Sequence, residues 1–258
     1  MYETILYGVD AATRVATVTL NRPDRLNAFN RQMCEEIARV WQVIKDDDTV
    51  HAVVVRGAGD RAFCAGLDVK ESFGQPELVW NHVDPGELLS PKWQQLWKPV
   101  VCAVHGMCTA GGLYLVNEAD VVICSDDATF FDSHVTFGYV SAVEPVGLMR
   151  RIGLGHTLRM ALTGNSERVS AATALQIGLV TEVVPRTELW TRAAELARTI
   201  AAFPAVATQG TVRAVWQSLD KPYRAAVQEA FLYTRLGNPI GLQEVERAGA
   251  ADTPPTVR

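Results

Sequence analysis

The sequence predicts an α/β fold, with an early core of strand–strand–helix units whose turns stack and a helical tail behind it. Three observations carry this reading. Short β-branched runs alternate with amphipathic stretches up to about Val140. Two of the strand-like runs, HAVVVRG and VVCAVHG, end on glycine. Past Val140 only LVTEVV (179–184) reads as a strand, while Pro204 and Pro222 are each placed to open a helix.

The elements follow in order. TILYGV and RVATVTL are β-branched runs with a turn between them, which predicts a hairpin. NRPDRLNAF follows as a loop. Over 31–45, Met33, Ile37, Val40, Trp41 and Ile44 recur at helical spacing. HAVVVRG is a buried strand, and DRAFCAGLDV a short strand and a turn. Residues 86–97 are expected to be helical, with Leu88, Leu89, Trp93, Leu96 and Trp97 on the apolar side, until Lys98-Pro99 breaks the helix. VVCAVHG is a second buried strand and GGLYLVNEA the helix after it. DVVICSD and ATFFD are further short strands. The GAADTPPTVR end is expected to fray.

Composition narrows the function. The 258 residues, 48% hydrophobic and 21% charged, suit one soluble globular domain, or one with an appended helical segment. A net charge of -5 with scattered Lys and Arg gives no footprint for nucleic acid. The five cysteines are odd in number and most sit in apolar runs, which predicts reduced, buried thiols in a cytoplasmic protein. No Cys-x-x-Cys or clustered His spacing is present, so no metal site is expected. PVVCAV stops at His105, too short to span a membrane, and MYETILYGVD lacks the pattern of a signal peptide.

Two stretches carry the chemistry. In HGMCTAGGLYL (105–115), Gly111 and Gly112 put bare backbone at a helix start, where unpaired N–H groups and the dipole favour negative charge. In FCAGLD (63–68) a strand ends and Ala65-Gly66 turns sharply. Together with Asn21–Phe29 upstream, Lys98-Pro99 between them, and LTGNSERVSAATALQIGLVTEVVP (162–185) downstream, they resemble the crotonase superfamily, the enoyl-CoA hydratase/isomerase family. The resemblance runs in order from about residue 3 to 235.

The resemblance implies a spiral of ββα units over 1–195, holding an acyl-CoA site, and a helical region over 196–258 for oligomerisation and pocket cover. It implies that the N–H groups of Ala65 and Gly111 bind the thioester carbonyl and stabilise an enolate-like oxyanion. A side chain at Gly111 or Gly112 would then crowd the thioester. Coenzyme A, as part of the substrate and with no permanently bound cofactor, would lie along Arg22–Leu26 and Ala62–Asp68, with Arg22, Arg25, Leu26, Ala62, Gly66, Leu67 and Asp68 in contact. Arg22, Arg25, Arg61 and Lys70 are candidates for its phosphates, or else solvated surface. The family also implies a homotrimer or dimer of trimers, with Val212, Val215, Trp216, Phe231 and Leu232 as a buried face, and a role of the kind found in fatty acid metabolism.

The chain departs from the family where hydratases keep two glutamates. Those positions fall on Tyr114 and, counting on from Asp120 without a gap, on His134. Simple two-glutamate hydration is therefore not expected. His134 titrates near neutrality and could move a proton. Asp132, two residues away, would share its face if the strand continues and could orient the imidazole. Tyr114 could donate a hydrogen bond or serve as pocket wall. Glu144 is an alternative carboxylate, although Ser141-Ala-Val-Glu144 also reads as a capping box. Glu118 is expected to face elsewhere. Trp80, His82, Trp93 and Trp97 would line an acyl pocket suited to a bulky or cyclic group, unless the helix tryptophans are core. The expected function is an enzyme on an acyl-CoA thioester acting through an enolate: an isomerase, a carbon–carbon lyase or hydrolase, or an atypical hydratase. The alternatives are a true hydratase using another carboxylate, a non-catalytic acyl-CoA-binding member, and an RNA-binding relative disfavoured by the charge.

Overall fold

The computed structural model describes residues 2–71 and 84–248. Strands β1 (Ile5–Asp10) and β2 (Val15–Leu20) form the expected antiparallel hairpin, with Ile5 opposite Leu20. Helix α1 (Arg31–Asp46) buries Met33, Ile37, Val40, Trp41 and Ile44, the five residues whose spacing predicted it. Asn30 caps it, its side-chain oxygen accepting the Met33 N–H at 3.0 Å. At the other end Lys98, only 3% exposed, donates to the carbonyls of Ile44 and Asp47 at 2.6 and 2.5 Å.

From β3 (Ala52–Gly57) onward the chain contributes consecutive strands to two sheets. β3 joins β2, and β4 (Ala62–Cys64) leaves for a second sheet. The expected 86–97 helix is much shorter: α2 (Gly86–Leu89) stops at Ser90, because Pro91 disfavours helical backbone before it. Leu89 and Leu96 remain buried, but Trp93 is 62% exposed. Next come β5 (Val100–Val104), β6 (Met107–Thr109), α3 (Gly112–Glu118), β7 (Val121–Ser125) and β8 (Thr129–Phe131). β3, β5 and β7 lie parallel in the larger sheet, while β4, β6 and β8 lie parallel in the smaller one. Each turn of the chain therefore adds one strand to each sheet, which is the ββα spiral.

Helix α4 (Val143–Thr163) is interrupted at Gly153, whose φ of 72° leaves the helical region. β9 (Val169–Ser170), too short to show periodicity, pairs antiparallel with β8 and was not anticipated. α5 (Ala171–Gln176) leads to β10 (Glu182–Val184), which closes a six-stranded sheet in the order β1-β2-β3-β5-β7-β10. α6 (Leu189–Ala201) then packs Leu189, Ala193, Ala197 and Ala201 against Val54, Val101, Ala103 and Ile123. The boundary expected at 195 thus falls inside a helix of the core. α7 (Ala205–Ser218) and α8 (Tyr223–Ala248) start after Pro204 and Pro222 as expected and pack on each other. All five cysteines are free and buried, and burial pushes the thiols of Cys34 and Cys64 up to about 12.

Asn27 fixes the loop between β2 and α1. It is fully buried at a φ of 54°. Its side chain accepts the Arg22 N–H at 3.0 Å and donates to the carbonyls of Ala58 and Ala62 at 2.9 and 2.8 Å. Asn27→Ala should cost on the order of 3 kcal/mol in urea unfolding, since three backbone groups, one buried and two partly buried, lose their partner. A change below about 0.5 kcal/mol, the range of ordinary surface substitutions, would contradict this account of the loop.

Candidate active site

Two backbone segments meet at the predicted oxyanion site. Gly66 has a φ of 87°, and a Cβ there would sit 3.3 Å from the Gly111 nitrogen and 2.9 Å from the Ala110 Cβ. The turn after β4 is thereby pressed against the start of α3, with Ala65 and Gly111 on the two facing strands of backbone. Gly111 is the N-cap of α3, at the end where helical N–H groups lack intrahelical partners. The Ala65 N–H donates to the Leu26 carbonyl at 3.1 Å. Glycine at 111 has a different immediate cause from the one expected. Its Cβ would lie 2.2 Å from Cε1 of Phe29, so a neighbouring ring already forbids it. At Gly112 the obstacle is the Cys64 carbonyl, 2.8 Å away.

The predicted coenzyme A segments are zipped together. The Phe29 N–H donates to Gly66 O and the Asp68 N–H to Phe29 O, both at 2.9 Å, with Phe29 bridging Leu67 in parallel. Ala62 is buried in β4. Leu26 takes a left-handed φ of 55° at the end of a 3-10 turn, Pro23–Arg25. Arg22 is already committed: its guanidinium lies 3.0 Å from Asp68 and 2.8 Å from Glu71, and donates to Ala28 O at 2.7 Å. Arg25, Arg61 and Lys70 are exposed.

Asp132, His134 and Glu144 do come together. The strand expected to carry Asp132 and His134 on one face stops at Phe131, and His134–Phe137 is a 3-10 turn. A tight turn replaces the strand register. Asp132 Oδ1 accepts both the His134 N–H at 2.9 Å and His134 Nδ1 at 2.7 Å, while Ser141 Oγ donates to Oδ2 at 2.7 Å. Ser141 thus holds Asp132 and caps no helix, which corrects the capping-box reading. Asp132 has no exposure, and although burial opposes its charge, the bonds from His134 and Ser141 hold its carboxyl below the usual range. The ionised carboxylate has no hydrogen to give, so Nδ1 carries one and Nε2 of the neutral ring has none. Nε2 lies 3.7 Å from Glu144 Oε1. The hydrogen bond to Asp132 raises the His134 pKa, and burial raises that of Glu144. The three side chains offer ligand atoms within 4.8 Å of one another, but a cation there would compete with the His134 and Ser141 bonds to Asp132.

Tyr114 takes an unexpected partner. Its hydroxyl donates to Asp84 Oδ2 at 2.6 Å, so its one hydrogen is directed at a carboxylate. Burial, with Glu144 and Asp84 nearby, drives its pKa far upward and keeps the phenol protonated. Gly86 makes the contact possible, since a Cβ there would sit 2.2 Å from Cζ of the ring. Asp84 escaped the sequence reading. Asp84-Pro85-Gly86 carries only the signal of a helix start, and there Pro85 is the N-cap of α2 while Asp84, one residue before it, accepts the Gly86 N–H at 3.1 Å.

Tyr114 and Asp84 line a cavity of about 370 Å³ with Trp93, Trp97, Asn117 and Trp216. Both tryptophans of 86–97 therefore wall it rather than the core, while Trp80 and His82 lie outside the described residues. Glu118 is also on this wall, turned from His134, and its Oε2 accepts the N–H groups of Lys92 and Trp93 at 2.7 and 3.0 Å. A larger groove of about 1510 Å³ lies between Arg14, His51 and the α7–α8 pair. Asp132, His134 and Glu144 line neither space, and Tyr114 is the residue that reaches from the Gly111 turn into the smaller one.

The geometry meets an independent line of comparison. The family model described as enoyl-CoA hydratase/isomerase matches residues 10–249. The (E)-benzylidenesuccinyl-CoA hydratase of Thauera aromatica is 30% identical over 230 residues, covering 88% of this chain and 87% of that protein. The 1,2-epoxyphenylacetyl-CoA isomerase of Escherichia coli is 33% identical over 210 residues, 79% of this chain and 78% of that one. A crystal structure of an enoyl-CoA hydratase/isomerase from Mycobacterium paratuberculosis superposes with a TM-score of 0.84 at 37% identity, covering 91% of this chain and 90% of that one. The facing Ala65 and Gly111 segments sit within a ββα spiral matched over nearly its whole length, and the chain belongs to the enoyl-CoA hydratase/isomerase family of the crotonase superfamily.

Proposed function

We propose that the protein is an enzyme that moves a proton on an acyl-CoA thioester, with His134 as the proton-transfer group. The observation that carries this is the 2.7 Å bond from His134 Nδ1 to the fully buried Asp132, which leaves Nε2 without a hydrogen in the neutral ring. In the step, a C–H bond next to the thioester carbon breaks. Its electron pair moves toward the carbonyl, which becomes an enolate oxygen held by the N–H groups of Ala65 and Gly111. The proton goes to His134 Nε2. Asp132 and Glu144 favour the imidazolium that forms. Ala65 would share its N–H between Leu26 O and the ligand, or release Leu26. Where the proton returns decides between isomer, lyase and hydrolase products. The tryptophan-walled cavity supports a bulky, aromatic or alicyclic acyl group, in line with the phenyl-bearing thioesters named for the Thauera and E. coli relatives. Coenzyme A would run along Arg22–Leu26 and Ala62–Asp68, with Arg25, Arg61 and Lys70 the cations open to its phosphates.

A second reading, hydration through Glu144, draws on the raised pKa of that buried carboxyl and on the hydratases among the relatives. We also propose a homotrimer or dimer of trimers, with residues 1–195 supplying the site and 196–258 cover and contacts. Exposed apolar side chains support it: Leu154 and Leu162 on α4, and Val215, Phe231 and Leu232 on α7 and α8.

Exchange of the α-hydrogens of phenylacetyl-CoA in heavy water tests the main reading. His134→Ala should slow it at least ~100-fold with thioester binding nearly unchanged. As a base His134 works when neutral, so the rate should climb as pH rises through a pKa above the ordinary 6.5. Asp132→Asn removes the main cause of that elevation and should move the climb to lower pH. A His134→Ala enzyme exchanging at the parent rate would make the histidine a packing residue. Crotonyl-CoA hydration should be slow, and a turnover on the order of 1,000 per second would favour the second reading. Light scattering should report an assembly of three or six chains, and a monomer at micromolar concentration would refute the quaternary proposal.

A further inference from the structure

The cavity beside Tyr114 keeps unfilled acceptors on one wall. Several of its hydrogen-bond donors are already committed within the protein. The Tyr114 hydroxyl goes to Asp84 at 2.6 Å, and the Asn117 amide to the Glu144 carbonyl at 2.9 Å. Lys92 Nζ and Trp216 Nε1 both go to Asp120, at 2.7 and 2.6 Å, and Arg150 to Asp220 at 2.7 Å. Acceptors remain. A carboxylate offers about four lone-pair sites. Asp84 fills one with the Tyr114 hydroxyl and one with the Gly86 N–H. The Tyr114 oxygen, having donated its hydrogen, keeps its lone pairs. Asn117 is 7% exposed and lines the cavity, and its Oδ1 has no hydrogen-bond partner among the described residues. Glu87 and Glu118 add negative charge to the same wall.

We infer that the acyl group carries a hydroxyl, on an aromatic or alicyclic ring, which donates to the Asp84–Tyr114 pair. This rests on the acyl-CoA reading above and names its substrate class. Asp84, Glu87 and Glu118 disfavour a carboxylate beside Tyr114 by like charge. A plain phenyl group would leave the free lone pairs of Asp84 and Tyr114 with no hydrogen to receive, which costs binding. Tryptophan faces hold the ring, and Asp84, fixed by the start of α2, sets where the hydroxyl goes. Asp84 is thus a specificity-determining residue. Gly86 serves it indirectly by letting the Tyr114 ring lie against α2.

The test compares dissociation constants of 4-hydroxyphenylacetyl-CoA and its 3-hydroxy isomer with those of phenylacetyl-CoA and 4-carboxyphenylacetyl-CoA. The wild-type chain should bind one hydroxylated thioester at least ~10-fold more tightly than the plain one, and the carboxylated one most weakly. Asp84→Asn, similar in shape, should reduce the hydroxyl preference several-fold and improve binding of the carboxylated analogue. A general loss of fold would weaken all four thioesters alike, and circular dichroism of the variant checks that separately. Equal binding of all four, or a preference that survives Asp84→Asn, overturns the inference and leaves the acyl-CoA reading standing. If the wild-type chain binds none of them, that reading falls and this one with it.

Discussion

A single buried carboxylate organises the site. Asp132 has no exposed surface, and an ionised carboxylate in such a place is tolerable only if its oxygens are hydrogen-bonded. Three donors meet the demand: the His134 backbone, the His134 ring and the Ser141 hydroxyl. The consequences spread outward. The chain must leave the β8 direction at once and turn, so that residue 134 comes back to residue 132. Ser141 must face inward, which places the start of α4 and with it Glu144. The imidazole is left one orientation, with Nε2 toward Glu144 and its basicity raised. Another histidine in the chain shows what happens without such a partner. His105 is fully buried where His134 is only partly so, has no partner for either ring nitrogen among the described residues, and is pushed down to about 4 chiefly by burial.

The spiral supplies what the dyad cannot. A proton can be taken from a carbon only if the electrons left behind have somewhere to go. Two backbone segments from successive turns, one after β4 and one opening α3, face each other and would hold that charge in the proposed reaction. Their approach is set by packing. Phe29 fills the space beside Gly111, Gly66 takes a left-handed φ against Ala110, and the loop of Asn27 ties the first turn of the chain to β3 and β4. A donor pair built from main chain depends on such distant contacts because it has no side chain to adjust.

Much of this was legible before the fold was known. Apolar periodicity located α1 to its buried residues, and the glycine-ended apolar runs located β3 and β5. Tyr114 and His134 were singled out by the resemblance alone, as the positions on which the two glutamates of hydratases were expected to fall. Asp132 was legible for the wrong reason, as strand alternation, when a two-residue turn brings it to His134. The helix at 86–97 was overread because the apolar spacing outweighed the stop at Pro91. Asp84 was invisible. Its partner Tyr114 is thirty residues away, and local pattern carries no trace of a hydrogen bond across that separation. Ser141 was misassigned by the same limit, because a capping motif and a carboxylate partner look alike until the fold decides which is within reach.

The claim beneath the mechanism is that Asp132 sets the proton affinity of His134, and it can be measured without knowing the substrate. In protein labelled with nitrogen-15 at its five histidines, the ring signals can be followed through a pH titration and His134 identified by its loss in His134→Ala. The account predicts an Nδ1-protonated ring in the neutral state and a midpoint above 6.5, while His105 stays neutral down to about 4. A His134 that titrates at or below 6.5 with its hydrogen on Nε2 would contradict it.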